Sequence, residues 1–386
     1  AWRSALLDVV INDYYAETGK REGEYPFTLV ASGGYGRALL NPGSDIDLQF
    51  LIHNSLKEKD KPAVEERVGK FLKMLYNGGL DVGHGARTIK GMIQFANEDH
   101  PTKTALLDAR FIAGQAEVFD TFEDAFFKQC IEGKERSYLE ERSEVIRARH
   151  RKYGRTIHRQ EPHVKMGCGG LRDYHNLIWL IWMLQRSRDL KDLVDNEQLS
   201  LIAYTEIEEA YEFLMRVRND LHFNQKNNTG DILTLRLQGI VATNLDYPGN
   251  TIIQRNEQFM RDYYRHTRAL YQHGTSLMQA FELEVEESSS YGVPIVSALA
   301  ARFHGKKRKK FGSYVTRDGL IFPNDTDPFA ENPREMMRFF LHTQQRGLKT
   351  SPEIRRLFKD HWSEIDDPFR RSRTNREIFE QILQNR

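Results

Sequence analysis

The chain has 386 residues, enough for two or three domains that each bury a core. Its 56 Lys and Arg nearly balance 55 Asp and Glu, so no bulk charge argues for wrapping nucleic acid; only Cys130 and Cys168 are present, which excludes a disulfide framework and suits a reducing, cytoplasmic compartment. No apolar run approaches the roughly 18–20 residues of a membrane span, no signal peptide opens the chain, and the first residue is Ala, as expected of an excised fragment.

A helix is expected over 4–15. The apolar, β-prone run 27–31 then meets Ser32-Gly33-Gly34-Tyr35-Gly36-Arg37, where glycines break the strand and let the backbone approach a ligand closely. Its N–H groups would cradle phosphates, and Arg37 adds a fixed positive charge. A second strand carries Ile46, Leu48, Phe50 and Leu51, with Asp45 and Asp47 on the face opposite Ile46 and Leu48 and with Ser44 in the turn before it. Adjacent like charges repel, so a divalent cation is their natural partner. A glycine turn followed by a carboxylate pair is the order expected of a nucleotidyl-transfer site. A calcium loop would need Asp or Asn where Gln49 stands and Gly where Phe50 stands; a dinucleotide fingerprint would need Gly in place of Leu39, and a P-loop lysine is absent. A surface turn formed by Ser44 and Asp45 is the remaining alternative.

A helix over 62–76 precedes a strand over 79–84 that carries Asp81. Asp81 is either the third carboxylate of a two-metal site or the cap of a turn after Asn77-Gly78-Gly79. Beyond residue 120 the pattern turns helical, over 125–151, 174–185, 199–224 and 256–286, with Ile178, Leu214 and Tyr263 as core positions. Lys165, Gly167, Gly169, Gly170 and Arg172 concentrate flexibility and charge just before a helix. Either this loop folds over a triphosphate, with Lys165 and Arg172 on phosphate and Asp173 on ribose, or it is a turn capped by Asp173. Arg218 and His222, four apart on one helical face, could reach the same cleft, although such pairs are commonly solvated surface; Arg87 and Arg110 suit phosphate contact or salt bridges equally. Ser288, Ser289, Ser290, Tyr291 and Gly292 mark a linker. Lys306, Lys307, Arg308, Lys309 and Lys310 form a solvated basic loop that would attract an acidic protein or RNA if functional, followed by a hairpin over 311–322. The tail over 332–386 returns to helix, with Met336, Phe339 and Phe340 on an apolar stripe and Pro352 near a helix start.

The pattern Gly-Gly-x-Gly-Arg-x-x-Leu-x-Pro-x-Ser-Asp-Ile-Asp-Leu, met from Gly33 to Leu48, resembles the signature of the bacterial PII uridylyltransferase/uridylyl-removing enzymes of the polymerase-beta nucleotidyltransferase superfamily. Three further stretches are similar: Leu80-Asp81-Val82-Gly83-His84-Gly85-Ala86-Arg87-Thr88, where the family often has Glu at the position of Asp81; Val164-Lys165-Met166-Gly167-Cys168-Gly169-Gly170-Leu171-Arg172-Asp173; and Arg218-Asn219-Asp220-Leu221-His222.

The resemblance implies an α+β fold: a nucleotidyltransferase domain over 1–122, a helical associated domain over 123–287, and over 288–386 a basic loop, hairpin and helical tail. It implies transfer of UMP from UTP to a tyrosine of the PII nitrogen regulatory protein. Asp45, Asp47 and Asp81 would hold magnesium or manganese, and Gly33, Gly34, Gly36, Arg37, Ser44, Lys165, Gly169, Gly170, Arg172 and Asp173 would contact the nucleotide. None of the thirteen histidines is followed by Asp, so the uridylyl-removing activity is expected to be missing, as are the glutamine-sensing domains. The same site chemistry allows other acceptors, namely glutamine synthetase for adenylylation or an RNA end, and a non-catalytic nucleotide-binding module is the alternative from another class.

Overall fold

The computed structural model describes residues 2–19, 27–54, 56–196, 198–225, 230–291, 309–311, 313–317, 320–324, 327–346 and 348–384. The chain divides into two compact units, Ala1–Met278 and Gln279–Arg386.

The first unit opens with helix α1 (Trp2–Gly19) and strand β1 (Thr28–Ala31), which runs into the helical turn α2 (Gly33–Gly36). Strand β2 (Ile46–Ile52), helix α3 (Lys61–Asn77) and strand β3 (Val82–Thr88) follow, then α4 (Ile89–Glu98), α5 (His100–Leu106) and β4 (Arg110–Ala113). The sheet order is β3-β2-β1-β4. β1 pairs antiparallel with β2 and with β4, while β2 and β3 run parallel, joined by the crossover helix α3. Ile46, Leu48 and Phe50 alternate into a core shared with Leu29, Phe71 and Leu75, where Tyr15, Phe27, Phe50 and Phe71 meet edge to face. Burying one face of β2 in this core turns the carboxylate positions to the other.

The rest of the first unit is helical: α6 (Ala116–Phe126), α7 (Glu135–Lys152), α8 (Leu171–Gln185), α9 (Lys191–Asp195), α10 (Leu201–Phe223), α11 (Leu235–Asn244) and α12 (Ile252–Tyr291), of which the part up to Met278 belongs to this unit. The architecture is the α+β one expected, a small mixed sheet with helices followed by a helical array. The single helix expected over 125–151 is instead interrupted. A π-type turn (Phe127–Ile131) is followed by Gly133, whose φ of +74° is a left-handed conformation that a helix cannot continue through, and α7 starts afresh at Glu135. The serine run at 288–290, read as linker, lies inside α12, and Gly292 lies outside the described residues.

In the second unit the expected hairpin is a larger sheet. β5 (Lys309–Phe311), β6 (Tyr314–Arg317) and β7 (Leu320–Pro323) form an antiparallel meander, and β8 (Lys349–Thr350) adds parallel to β7. Lys309 and Lys310 thus belong to a strand, while Lys306, Lys307 and Arg308 lie outside the described residues. Helices α13 (Pro328–Glu331), α14 (Glu335–Arg346), α15 (Pro352–Asp360), α16 (Asp367–Arg371) and α17 (Arg373–Gln384) complete the unit. Met336 and Phe339 join Tyr314, Ile321, Phe329, Ile354 and Phe358 in its core, whereas Phe340 is exposed with its ring stacked on Phe358. Among the described residues no helix is long and apolar enough to cross a membrane.

Candidate active site

The glycine turn and the carboxylates are built against one another. Ser32 N–H donates to the Asp47 carbonyl at 3.0 Å, and Gly33 takes a φ of +54°. A Cβ on Gly33 would lie 2.9 Å from Asp47 Oδ2, so glycine is required both by the turn and by the carboxylate beneath it. Gly34 faces the same side with room to spare. Gly36 does not: it packs against the Asp108 carbonyl and is buried away from the cleft. Arg37 pairs with Asp108, whose other oxygen accepts the Trp179 indole N–H at 2.8 Å. Behind the turn, Arg110 bonds Asp8 and the carbonyls of Tyr35 and Gly36, and Arg87 lies 4.0 Å over the Phe95 ring; both serve the scaffold.

Asp45 is exposed at the entry to β2 and Asp47 half-buried within it. Burial first, and the Asp45 charge second, raise the Asp47 carboxyl above its ordinary range, against the opposing pull of Lys165 and Arg37. A cation at this pair would relieve both effects, so these oxygen donors fit a hard divalent ion. Asp81 does not complete the trio expected of it. The strand begins after it, at Val82; its carbonyl accepts Ile46 N–H at 3.2 Å, and its exposed side chain lies outside the cleft lining. The parallel register sets Gly83, not Asp81, beside Asp47, and a Cβ on Gly83 would lie 2.9 Å from Asp47 Oδ1. Among the described residues no three His, Cys, Asp or Glu side chains gather closely enough to hold an ion.

Helices α7, α8 and α10 supply the facing wall of a cleft of about 800 Å3. Its lining joins Gly33, Gly34, Arg37, Ser44, Asp45 and Asp47 to Lys165, Arg172 and Arg218. The Lys165 side chain has no ion pair or hydrogen bond among the described residues; burial, then Arg218 and Arg172, bring it down to about 8. Arg172 is brought down to about 10 by burial and by Arg37, and its Nε is buried without a partner. Among the described residues Lys165 and Arg172 are half-buried cations without an ion pair, an arrangement that favours an anion at this wall.

The glycine loop before α8 is not the flap that its composition implied. Gly169, at φ +68°, would place a Cβ 2.0 Å from the Thr267 carbonyl of α12, and Gly170 closes against the Val164 carbonyl. Asp173 is buried. It accepts Gly169 N–H at 2.7 Å, pairs with Arg149 and His150, and lies outside the cleft lining, so it caps the loop and does not reach a ribose. Of the loop, Lys165 and Arg172 reach the cleft while Gly169, Gly170 and Asp173 hold them in place.

Arg218 and His222 are buried and not solvated surface, and Arg218 reaches the cleft, the other placement that their spacing allowed. Arg218 grips Asp231 through Nε at 2.6 Å and reaches Asn41; His222 accepts Gly43 N–H on Nδ1 at 3.0 Å, which leaves Nε2–H to donate to Asp231 at 3.0 Å. This knot ties α10 to the turn leading into Asp45. Asn41, Asp108, His175 and Asp231 escaped the sequence reading because each stands outside any local pattern and is brought in by packing alone.

Residues 137–278 match the family profile described as GlnD PII-uridylyltransferase, and residues 314–386 match that of the uridylyltransferase GlnD third domain. The first stretch contains Lys165, Arg172, Arg218 and Asp231, the cleft's helical wall. The two stretches together take in more than half of the chain. With this cleft and these matches, the chain belongs to the GlnD PII-uridylyltransferase family and is a nucleotidyltransferase.

Proposed function

We propose that the cleft transfers UMP from UTP to a tyrosine hydroxyl of a PII protein. The phenolic oxygen would form a bond to the α-phosphorus as the bond to the bridging oxygen breaks, with loss of the phenolic proton and departure of pyrophosphate. The observation that carries this reading is the meeting of the carboxylate pair Asp45 and Asp47 with the unpaired cations Lys165 and Arg172 across one cleft. The first N–H groups of a helical turn have no intrahelical acceptor, so Gly33 and Gly34 would offer theirs to phosphate oxygens. Lys165, Arg172 and Arg37 would neutralise the triphosphate, and Ser44 stands beside it. Asp45 and Asp47 would hold magnesium or manganese, which would supply charge neutralisation at the reacting phosphoryl oxygens. Two protein carboxylates plus substrate phosphates are an ordinary set of partners for magnesium.

The test is to incubate the chain with purified PII, magnesium and each labelled nucleoside triphosphate, beside Asp45→Asn and Asp47→Asn variants. Label passing from UTP to PII and lost in both variants supports the reading. Label passing to glutamine synthetase or RNA instead would move the acceptor, and tight UTP binding without turnover would make the chain a binding module.

A further inference from the structure

His175 is a polar side chain of the cleft whose chemistry the triphosphate leaves unused. It lies on α8 with 4 % of its surface exposed, and it lines the cleft between Trp179 and Tyr211, whose ring centres are 6.1 and 6.0 Å from its own. Its Nδ1 is buried without a partner, and neither ring nitrogen makes a hydrogen bond among the described residues. The edge that reaches the cleft is therefore the one bearing Nε2. A buried imidazole left unbonded in a native fold needs an explanation, and a ligand that completes its bonding is one.

We propose that His175 is the base-reading residue of the cleft, donating its Nε2–H to a carbonyl oxygen on the nucleobase edge, O4 of uracil. This rests on the assignment of the cleft as a nucleotide site. Burial, followed by Arg37, Arg172, Lys165 and Arg218, keeps the ring from taking up a second proton, so it is a neutral imidazole with a single hydrogen to place. On Nδ1 that hydrogen would be a buried donor without an acceptor in a field of positive charge. On Nε2 it faces the cleft, and the lone pair of Nδ1 sits in the field of the same cations. The favoured tautomer is thus a donor toward the ligand. The cations suit the phosphates, whereas a neutral donor flanked by aromatic rings suits the edge of a planar base. Cytosine would set its 4-amino group against this N–H, donor against donor, and is refused for that reason.

The test is calorimetric binding in magnesium with the purified chain, needing no acceptor protein. UTP, CTP, inorganic tripolyphosphate and the triphosphate of pyrimidin-2-one riboside, which lacks O4, are compared on the unmodified chain and on His175→Phe and His175→Gln. The expected result is that UTP binds at least about tenfold tighter than CTP or the O4-less analogue. His175→Phe should lower UTP to the level of CTP and leave tripolyphosphate unchanged, and His175→Gln, whose amide N–H reaches the Nε2 position, should restore part of the preference. Equal binding of UTP and the O4-less analogue to the unmodified chain overturns the proposal, even where His175→Phe fails to fold. Equal loss of all four ligands in a folded His175→Phe overturns it as well. A chain that reads O4 through His175 yet labels no PII refutes the proposed transfer alone; one that labels PII while ignoring O4 refutes the base-reading role alone.

Discussion

Trp179 donates its indole N–H to Asp108 at 2.8 Å, and the same carboxylate holds the Arg37 guanidinium, so one buried acid joins α8 to the glycine turn. Burial outweighs Arg37 and the indole in setting this acid, whose carboxyl stays above its ordinary range. Trp179→Phe removes a hydrogen bond to a charged, desolvated oxygen, and a loss of about 2 kcal/mol in urea unfolding is expected. The kcat/KM for UTP should fall as well, because the Asp108 carboxylate that aims Arg37 then loses its anchor on α8. An unchanged urea midpoint would show that the indole contact is incidental.

Asp47 is the site's clearest conflict between stability and chemistry. A carboxyl whose folded-state value is raised favours the protonated form; the stability it gives is present at low pH and declines as pH rises through the carboxylate range. Asp47→Asn should therefore raise the melting temperature of the metal-free chain at neutral pH by roughly 2 °C while lowering transfer at least about a hundredfold. Thermal melts and turnover read the two effects separately. A variant that is less stable, or one that retains transfer, would contradict the assigned role.

The alternation that turns Asp45 and Asp47 away from Ile46 and Leu48 was legible because it is local: a strand with one buried face leaves no other placement for them. Asp81 is not fixed by local pattern, for the opposite reason. Its position depends on the register of two parallel strands joined through α3, which no run of residues near Asp81 records. The glycines at 169 and 170 show the same limit. Composition displays their conformational freedom but not the Thr267 carbonyl they must clear, a contact between residues about a hundred positions apart. Lys165 and Arg172 were found because they flank that loop, whereas Asp231 and His175 carry no such flag.

Lys165 should impose a pH dependence on nucleotide affinity. Its ammonium, lowered to about 8, is charged below that value and neutral above it, while the triphosphate stays fully ionised across the range. The Kd for UTP should rise by tenfold or more as pH climbs through about 8. Lys165→Arg, which keeps its charge, should flatten the profile, and Lys165→Met should bind weakly at every pH. A wild-type profile that is flat from pH 7 to 9.5 would remove Lys165 from the phosphate site.

Asp231 tests the knot that ties α10 to the turn before Asp45. Burial opposes its charge, but His222 and Arg218 prevail and hold the carboxyl well below the ordinary range. The stability it gives is complete above the usual carboxylate value and is lost only as the solution becomes strongly acidic. Asp231→Asn should cost about 3–5 kcal/mol at neutral pH, since it strands Arg218 as a buried, half-paired cation, and the deficit should shrink toward pH 2. Urea titrations at both pH values check this; a deficit independent of pH would assign the loss to packing.

Gly34 and Gly169 separate the glycines that face the ligand from those that face the fold. A Cβ on Gly34 would meet the Leu40 side chain at 3.8 Å, an ordinary contact, and Gly34 is not among the glycines at positive φ. Gly34→Ala should therefore fold with a melting temperature within a degree or two of the parent, and any loss should fall on nucleotide binding, because the methyl group enters the cleft where the triphosphate is placed. A Cβ on Gly169 would lie 2.0 Å from the Thr267 carbonyl at a φ of +68°, so backbone must move to admit it. Gly169→Ala should lose 2 kcal/mol or more, roughly the strain and overpacking combined, and nucleotide affinity should fall only as Lys165 and Arg172 shift with the loop. Melts and UTP titrations of the two variants together decide the matter: if Gly34→Ala unfolds while Gly169→Ala is tolerated, the division of labour between the two glycine segments is reversed.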